Sequence, residues 1–316
     1  MLLKTNNKFY HLVRALRPRQ WIKNLVLYAP IVFQGQFFNY DYFLKTTYGF
    51  IFFSGIASAV YLINDCYDYE KDKLHPIKRN RPIASGAISI KFAATIAILL
   101  VLVIIPTAFV VIGKYFGWVL IIYLLLQIAY NFKLKQLIII DALTISAGFI
   151  LRAFAGALAI PVSISSWLIL AITGTSLLLA FGKRRAERTL LESKSISEDS
   201  TRSILKHYPD ALLDSMISTS ASFCIITYAL FAFQVSPDNR ALPILELILP
   251  STLVGVKFLM VTIPVVIYGV ARYLYVIYEK REGESPERVL MSDKPLFITA
   301  ILWTVLVLIT TSTGLY

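Results

Sequence analysis

The chain of 316 residues is poor in the groups that build compact soluble folds and metal clusters. It has two cysteines, Cys66 and Cys224, far apart and without ligand spacing, which excludes a disulfide framework and a zinc site of the cysteine-pair type. Its three histidines, His11, His75 and His207, form no cluster. Charged residues make up only 16% of the chain, and the 19 Asp and Glu are outnumbered by 31 Lys and Arg. There is no low-complexity stretch, no sequence repeat and no polar segment long enough for a separate soluble module. The basic, Trp-containing start reads as an amphipathic cytoplasmic helix over residues 1–23 running into a first span, not as a cleavable leader.

What is present is apolar. Hydrophobic residues are 57% of the chain and the mean hydropathy is +0.67. About 20 apolar residues cross a bilayer as a helix, and nine runs qualify as candidates: 24–40, 46–64, 89–112, 116–131, 137–160, 165–182, 216–235, 243–270 and 296–315. Backbone polar groups in lipid must be satisfied within the segment, so these runs are expected to be helices. The expected fold class is an all-α membrane protein, with a transmembrane catalytic domain over 24–316. The formal charge of +12 does not point to nucleic acid. With the N-terminus in the cytoplasm, all Lys and Arg except Lys45, Lys114, Arg152, Arg240 and Lys257 fall on the cytoplasmic side, the positive-inside pattern of a membrane protein. The long loops 65–88, 183–215 and 271–295 share that side, which marks it as the working face.

Four constellations carry chemistry. After Asn64, the aspartates Asp65, Asp68 and Asp72 recur at i, i+3 and i+7 where an apolar run ends, a spacing that places them on one helical face. Three such carboxylates repel and need a counter-charge. A hard divalent cation such as Mg2+ suits them and commonly arrives with a substrate phosphate. The stretch His75–Gly86 follows with Lys78, Arg79 and Arg81, residues able to hold phosphate oxygens. Next come Tyr130–Lys135, including Lys135, then Asp141 and Arg152 in or beside an apolar run, where ionisable groups face a polar cavity or a partner. Asp141 and Arg152 share a face but are separated by a rise of about 16 Å, so each is expected to have its own partner. The fourth is Gly182–Arg188, with Lys183, Arg184 and Glu187. For the basic stretches the bland alternative is topology alone, and for Asp141 and Arg152 it is a structural ion pair.

The Asn64–Asp72 motif, the Arg81–Gly86 continuation and the nine-span layout resemble the UbiA superfamily of intramembrane prenyltransferases. The resemblance covers nearly the whole chain, including Arg17–Asn24, Tyr130–Lys135 with Asp141, Gly148–Gly156, Gly182–Glu187, Arg272-Tyr273 and Glu284–Glu287. It is nearest to a branch that transfers phosphoribose instead of a prenyl group. The aromatic prenyltransferases usually carry a second aspartate-rich motif after the sixth span; here that position reads Gly-Lys-Arg-Arg-Ala-Glu, with one carboxylate, Glu187.

The resemblance implies a bundle of about nine transmembrane helices around a central cavity open to the cytoplasm and laterally to lipid. It implies Mg2+, with Mn2+ as an alternative, on Asp65, Asp68 and Asp72, with Asn64 beside them. The substrates would be phosphoribosyl diphosphate and a polyprenyl phosphate. Lys23, Lys78, Arg79, Arg81, Lys135, Lys183 and Arg184 are candidates for the phosphates, and Tyr130 and Asp141 for ribose hydroxyls; Arg152 and Glu187 complete the expected substrate site. The enzyme would be a multi-pass protein of the cell membrane with its active site toward the cytoplasm, and a homo-oligomer, a trimer in that branch. Two other classes stay open: a UbiA-type prenyltransferase with an aromatic or other acceptor, and a non-enzymatic transporter.

Overall fold

A computed structural model describes residues 8–75, 78–160, 162–193, 208–235, 257–280 and 286–312, and among them every regular element is helical. The chain starts with α1 (Lys8–Leu16), whose Leu12, Ala15 and Leu16 pack on Ala59, Leu62 and Ile83 while Phe9 and Tyr10 face outward. A 3-10 segment, Pro18–Tyr28, leads into the five-residue α2 (Ala29–Phe33). The long α3 (Tyr40–Tyr67) begins at Asn39, whose side chain accepts the Tyr42 N–H. Then follow α4 (Tyr69–Leu74), α5 (Ile90–Val111), α6 (Lys114–Phe132), α7 (Ile140–Ala159), α8 (Ser166–Ser193), α9 (Asp210–Val235), α10 (Ile263–Tyr278), α11 (Pro286–Ser292) and α12 (Lys294–Ser312).

Eight helices among the described residues are long and apolar enough to cross a membrane. The expected span 24–40 is the difference. Pro18 and Pro30 interrupt the α-helical ladder, and Gly35 leaves it at φ 68°. The polar side of this segment also has partners: the Trp21 indole donates to Ser58 Oγ, Asn24 donates to Ser54 Oγ, and Tyr28 meets Thr47, all on α3. The segment therefore lines α3, as a 3-10 and a short α piece instead of one long helix. The expected span 243–270 lies partly outside the described residues, which resume with Phe258–Tyr278. Pro76, Ile77, His207, Arg240, Glu284 and Ser285 also fall outside them. Two expected loops are shorter than read: α8 continues to Ser193 and α10 to Tyr278, so Lys183–Glu187 and Arg272 sit on helices.

Helices α3 and α7 are the inner ones, and α5 and α12 bury least of their length. The exposed Leu, Ile and Val of α5 and α12 form the apolar surface that a bilayer requires. The 3-10 segment packs against both α3 and α7. One glycine permits this: a Cβ on Gly156 of α7 would lie 2.0 Å from the Leu27 carbonyl oxygen, so only glycine allows the two backbones to approach. The approach carries Lys23 and Asn24 to the level of Arg152, one turn from Gly156.

Candidate active site

The aspartate motif straddles a break. Helix α3 ends at Tyr67, Asp68 caps it, and α4 starts at Tyr69. The single face expected for Asp65, Asp68 and Asp72 is therefore split. Asp65 and Asp72, both nearly fully buried, turn to one side and share Arg81: its Nη1 donates to Asp65 Oδ1 at 3.1 Å and to Asp72 Oδ2 at 2.5 Å. Asp68 turns to Lys135 in the 3-10 turn after α6, whose Nζ reaches both carboxylate oxygens at 3.0 and 3.1 Å.

A third cation, Arg17, completes the arrangement. Its Nη2 donates to Asp65 Oδ1 at 2.5 Å, and its guanidinium lies 4.9 Å from the Tyr61 ring centre. Arg17 takes a left-handed backbone, φ 54° and ψ 59°, between α1 and Pro18. That conformation is uncommon for a non-glycine residue, and here the ion pair and the chain reversal hold it.

Among the described residues no three His, Cys, Asp or Glu side chains converge as a ready metal cage. The carboxylates are bound by cationic side chains instead. Their donor chemistry still suits a hard cation, since all are carboxylate oxygens. Moreover, Asp65 Oδ2 is buried without a hydrogen-bond partner, and one cationic nitrogen already bridges Asp65 to Asp72. Burial pushes the Asp72 carboxyl up, against the opposing pull of Arg81.

A second charged group has no such spare capacity. Asp141 and Arg184 are both fully buried, and Arg184 Nε donates to Asp141 Oδ2 at 2.6 Å. The Tyr208 hydroxyl donates to Asp141 Oδ1 at 2.6 Å and accepts the Ile139 N–H at 2.7 Å. Arg184 also pairs with Glu187 and donates to the Tyr130 hydroxyl at 3.3 Å. Burial and the bond to Asp141 push the Tyr208 phenol up, which keeps it a donor. Ile139 itself has φ 67° and ψ −45°, with Ile140 N–H returning to the Ile138 carbonyl at 2.7 Å. This is the strained hand of a γ-turn, and the Tyr208 bond pins it.

The third group lies deeper. Arg152 Nε donates to Asn24 Oδ1 and Nη2 to the Tyr123 hydroxyl, both at 2.8 Å. Lys23 donates to Gln20 Oε1 at 2.5 Å and lies 3.5 Å from Glu287. Burial pushes the Lys23 ammonium down; Glu287 opposes this and the Arg152 charge adds to it. Asp141 and Arg152 thus have separate partners, as their spacing predicts.

The remaining expected residues are placed as follows. Asn64 is partly buried and gives no side-chain hydrogen bond among the described residues. The Lys78 N–H bonds His75 Nδ1 at 3.3 Å, and Arg79 is exposed. Lys183 lies 3.9 Å from Glu187. Sequence reasoning did not single out Arg17, Asn24, Tyr61, Tyr123 or Tyr208 as site residues. Arg17 and Asn24 stood inside the Arg17–Asn24 stretch; nothing in the spacing of the tyrosines marks them.

The fold and site define a class: a multi-pass, all-helical membrane protein with a carboxylate-and-cation cluster where an inner helix ends. Solved structures share the fold. A UbiA homologue from Archaeoglobus fulgidus bound to GPP and Mg2+ superposes with TM-score 0.66 at 17% identity, covering 96% of this chain and 99% of that one. A structure of digeranylgeranylglyceryl phosphate synthase does so with TM-score 0.57 at 18% identity, covering 96% and 99%. The UbiA prenyltransferase family profile matches residues 26–301, and the chain belongs to that family. Similar relatives include the decaprenyl-phosphate phosphoribosyltransferases of Corynebacterium glutamicum and Mycobacterium tuberculosis. Each is 34% identical over 295 residues, spanning 92% of this chain and 84% and 91% of theirs.

Proposed function

We propose that this protein transfers 5-phosphoribose from phosphoribosyl diphosphate to a polyprenyl phosphate, releasing pyrophosphate toward the cytoplasm. The observation that carries this choice within the family is the end of α8. Among the described side chains there, Glu187 is the one carboxylate of the 182–188 stretch and is paired with Arg184 and Lys183, in a stretch otherwise rich in cations that suit phosphate. The 34% identity with named phosphoribosyltransferases over most of the chain supports the same reading.

Asp65, Asp68 and Asp72 would hold Mg2+ or Mn2+, which supplies charge neutralisation for the pyrophosphate oxygens. Arg17, Arg81 and Lys135 are the cations that trade partners: paired with the aspartates in the structure described, they are positioned to donate to pyrophosphate oxygens instead. Asn64, Lys78, Arg79 and Lys183 complete the phosphate-facing set at the mouth. An oxygen of the acceptor phosphate forms the new bond to ribose C1 as the bond from C1 to the pyrophosphate oxygen breaks. The acceptor is already anionic near neutral pH, so the site needs no strong general base, and catalysis is positioning and charge stabilisation.

Asp141, Arg184, Glu187 and Tyr130 take a supporting role in this reading. Their polar atoms are mutually engaged, and they fix the start of α7 against α8.

The test is pyrophosphate release by purified protein in detergent, with phosphoribosyl diphosphate, a polyprenyl phosphate and Mg2+. Release that needs both lipid and metal, with ribose phosphate appearing on the lipid, supports the proposal. Turnover of a prenyl diphosphate with an aromatic acceptor, and none with phosphoribosyl diphosphate, would overturn it.

A further inference from the structure

Two buried polar atoms at α10 and α11, Tyr273 Oη and Glu287 Oε2, have no hydrogen-bond partner among the described residues. They belong to one group. Tyr273 is 5% exposed, and its hydroxyl lies against α8, where a Cβ on Gly182 would stand 3.0 Å from it. Glu287 is in the first turn of α11, which packs on the 3-10 segment, and it lies within electrostatic reach of Tyr273. Its other oxygen, Oε1, accepts from Gln20 Nε2, and Lys23 Nζ stands 3.5 Å from Oε2. Lys183 on α8 is also within electrostatic reach. The group is not sealed: the side chains of Glu287, Lys23 and Lys183 are 10%, 28% and 34% exposed.

A fastening role uses only half of this group. The bond to Gln20 and the pairing with Lys23 tie α11 to the 3-10 segment, yet neither involves the Tyr273 hydroxyl. Phenylalanine would fill the same space without a buried, unpaired oxygen, which is costly to keep. Burial works to raise the Glu287 carboxyl, but Lys23, Gln20 and Lys183 outweigh it and hold the group below its ordinary value. A carboxylate only accepts, whereas a phenol both donates and accepts. That combination suits hydroxyls, and acidic side chains hold ribose hydroxyls in this way in dinucleotide sites.

Position relates the group to the aspartates. Gln20 lies one 3-10 turn beyond Arg17, and its N–H bonds the Arg17 carbonyl at 2.9 Å; Arg17 in turn pairs with Asp65. Such a turn rises about 6 Å, comparable with the reach from the diphosphate at ribose C1 to the hydroxyls on C2 and C3. Tyr61 lies within electrostatic reach of both Asp65 and Glu287. Asp141, the expected partner of those hydroxyls, already accepts a hydrogen bond on each oxygen.

We propose that Glu287 and Tyr273 form the subsite for the vicinal hydroxyls of the transferred pentose, with Gln20 and Lys23 holding the carboxylate in place. This rests on the phosphoribosyl-transfer reading and names how the site tells a sugar from a prenyl chain. A diol satisfies both polar atoms, and an apolar chain leaves both unpaired.

The test compares ribose 5-phosphate with 2-deoxyribose 5-phosphate, by direct binding without turnover, on wild type, Glu287→Gln and Tyr273→Phe. Wild type is expected to bind the ribose compound about 10- to 100-fold more tightly. Glu287→Gln should remove most of that preference by weakening the ribose compound, with KM raised for phosphoribosyl diphosphate and unchanged for the lipid. Tyr273→Phe keeps the question answerable where Glu287→Gln does not fold. It should shrink the preference too, and melt no lower than wild type, because the hydroxyl it removes has no partner. A role confined to fastening would lower the melting temperature and leave the preference intact. That result, or wild type with no preference for the ribose compound, overturns the subsite. A Glu287-dependent preference in a protein that releases no pyrophosphate leaves the subsite standing and removes the phosphoribosyl-transfer reading.

Discussion

Two regions of this molecule pair aspartates with basic side chains, and they differ in spare valence. At the mouth, Asp65 keeps a buried oxygen unpaired, and Arg17 and Arg81 remain partly exposed. At the start of α7, Asp141 has a hydrogen bond on each oxygen and Arg184 donates from three nitrogens, with both residues buried. The same functional groups therefore do different work. A cluster with open acceptors and reachable cations can change partners when a polyanion arrives, whereas a closed one holds helices together. Basic residues in a membrane enzyme are better sorted by what already satisfies them than by their distance from the motif.

The comparison breaks most visibly at Asp68. Asp68→Ala is expected to lower turnover by about a thousandfold or more, the scale of losing direct charge stabilisation, with little change in melting temperature. Chelating the divalent metal from wild-type protein should abolish pyrophosphate release, and added Mg2+ should restore it. In the closed region the order reverses. Arg184→Met leaves Asp141 buried with one partner fewer and is expected to cost about 3–5 kcal/mol of stability, read as a lower denaturation midpoint. The double variant Asp141→Asn/Arg184→Met should recover part of that loss, because it leaves no buried charge unpaired. Gly156→Ala pushes a methyl into the Leu27 carbonyl and is expected to cost about 1–3 kcal/mol, while loosening the 3-10 segment that carries Lys23. The smallest effect is Tyr208→Phe, about 1–2 kcal/mol, from the unpaired Ile139 N–H and the lost bond to Asp141. Arg81→Gln sharpens the contrast differently. It removes the cation shared by Asp65 and Asp72, so Mn2+ binding followed by electron paramagnetic resonance should tighten while turnover falls.

Much of this was legible in the sequence because the bilayer imposes simple rules. Apolar runs located most of the helices long enough to cross a membrane, and Asn64–Asp72 pointed to the carboxylate-and-cation cluster at the end of α3. The break at Asp68 was not legible, since i, i+3 and i+7 fit an unbroken helix equally well and the stop comes from how α4 folds back toward Arg81. Pairings across long separations were hidden too: Arg17 meets Asp65 over 48 residues and Tyr208 meets Asp141 over 67. The segment after Pro18 read as a span because Leu25, Val26, Leu27 and Tyr28 are apolar. Its docking along α3 rests on Trp21, Asn24 and Tyr28 finding hydroxyls there, which a hydropathy window cannot register.

The most direct test of the contrast between open and closed clusters is one paired measurement on Asp68→Ala: its denaturation midpoint, and its pyrophosphate release at saturating Mg2+, phosphoribosyl diphosphate and polyprenyl phosphate. A native midpoint with release reduced by about three orders of magnitude is the predicted result. Near-normal release, or a collapse in stability like that expected for Arg184→Met, would contradict it.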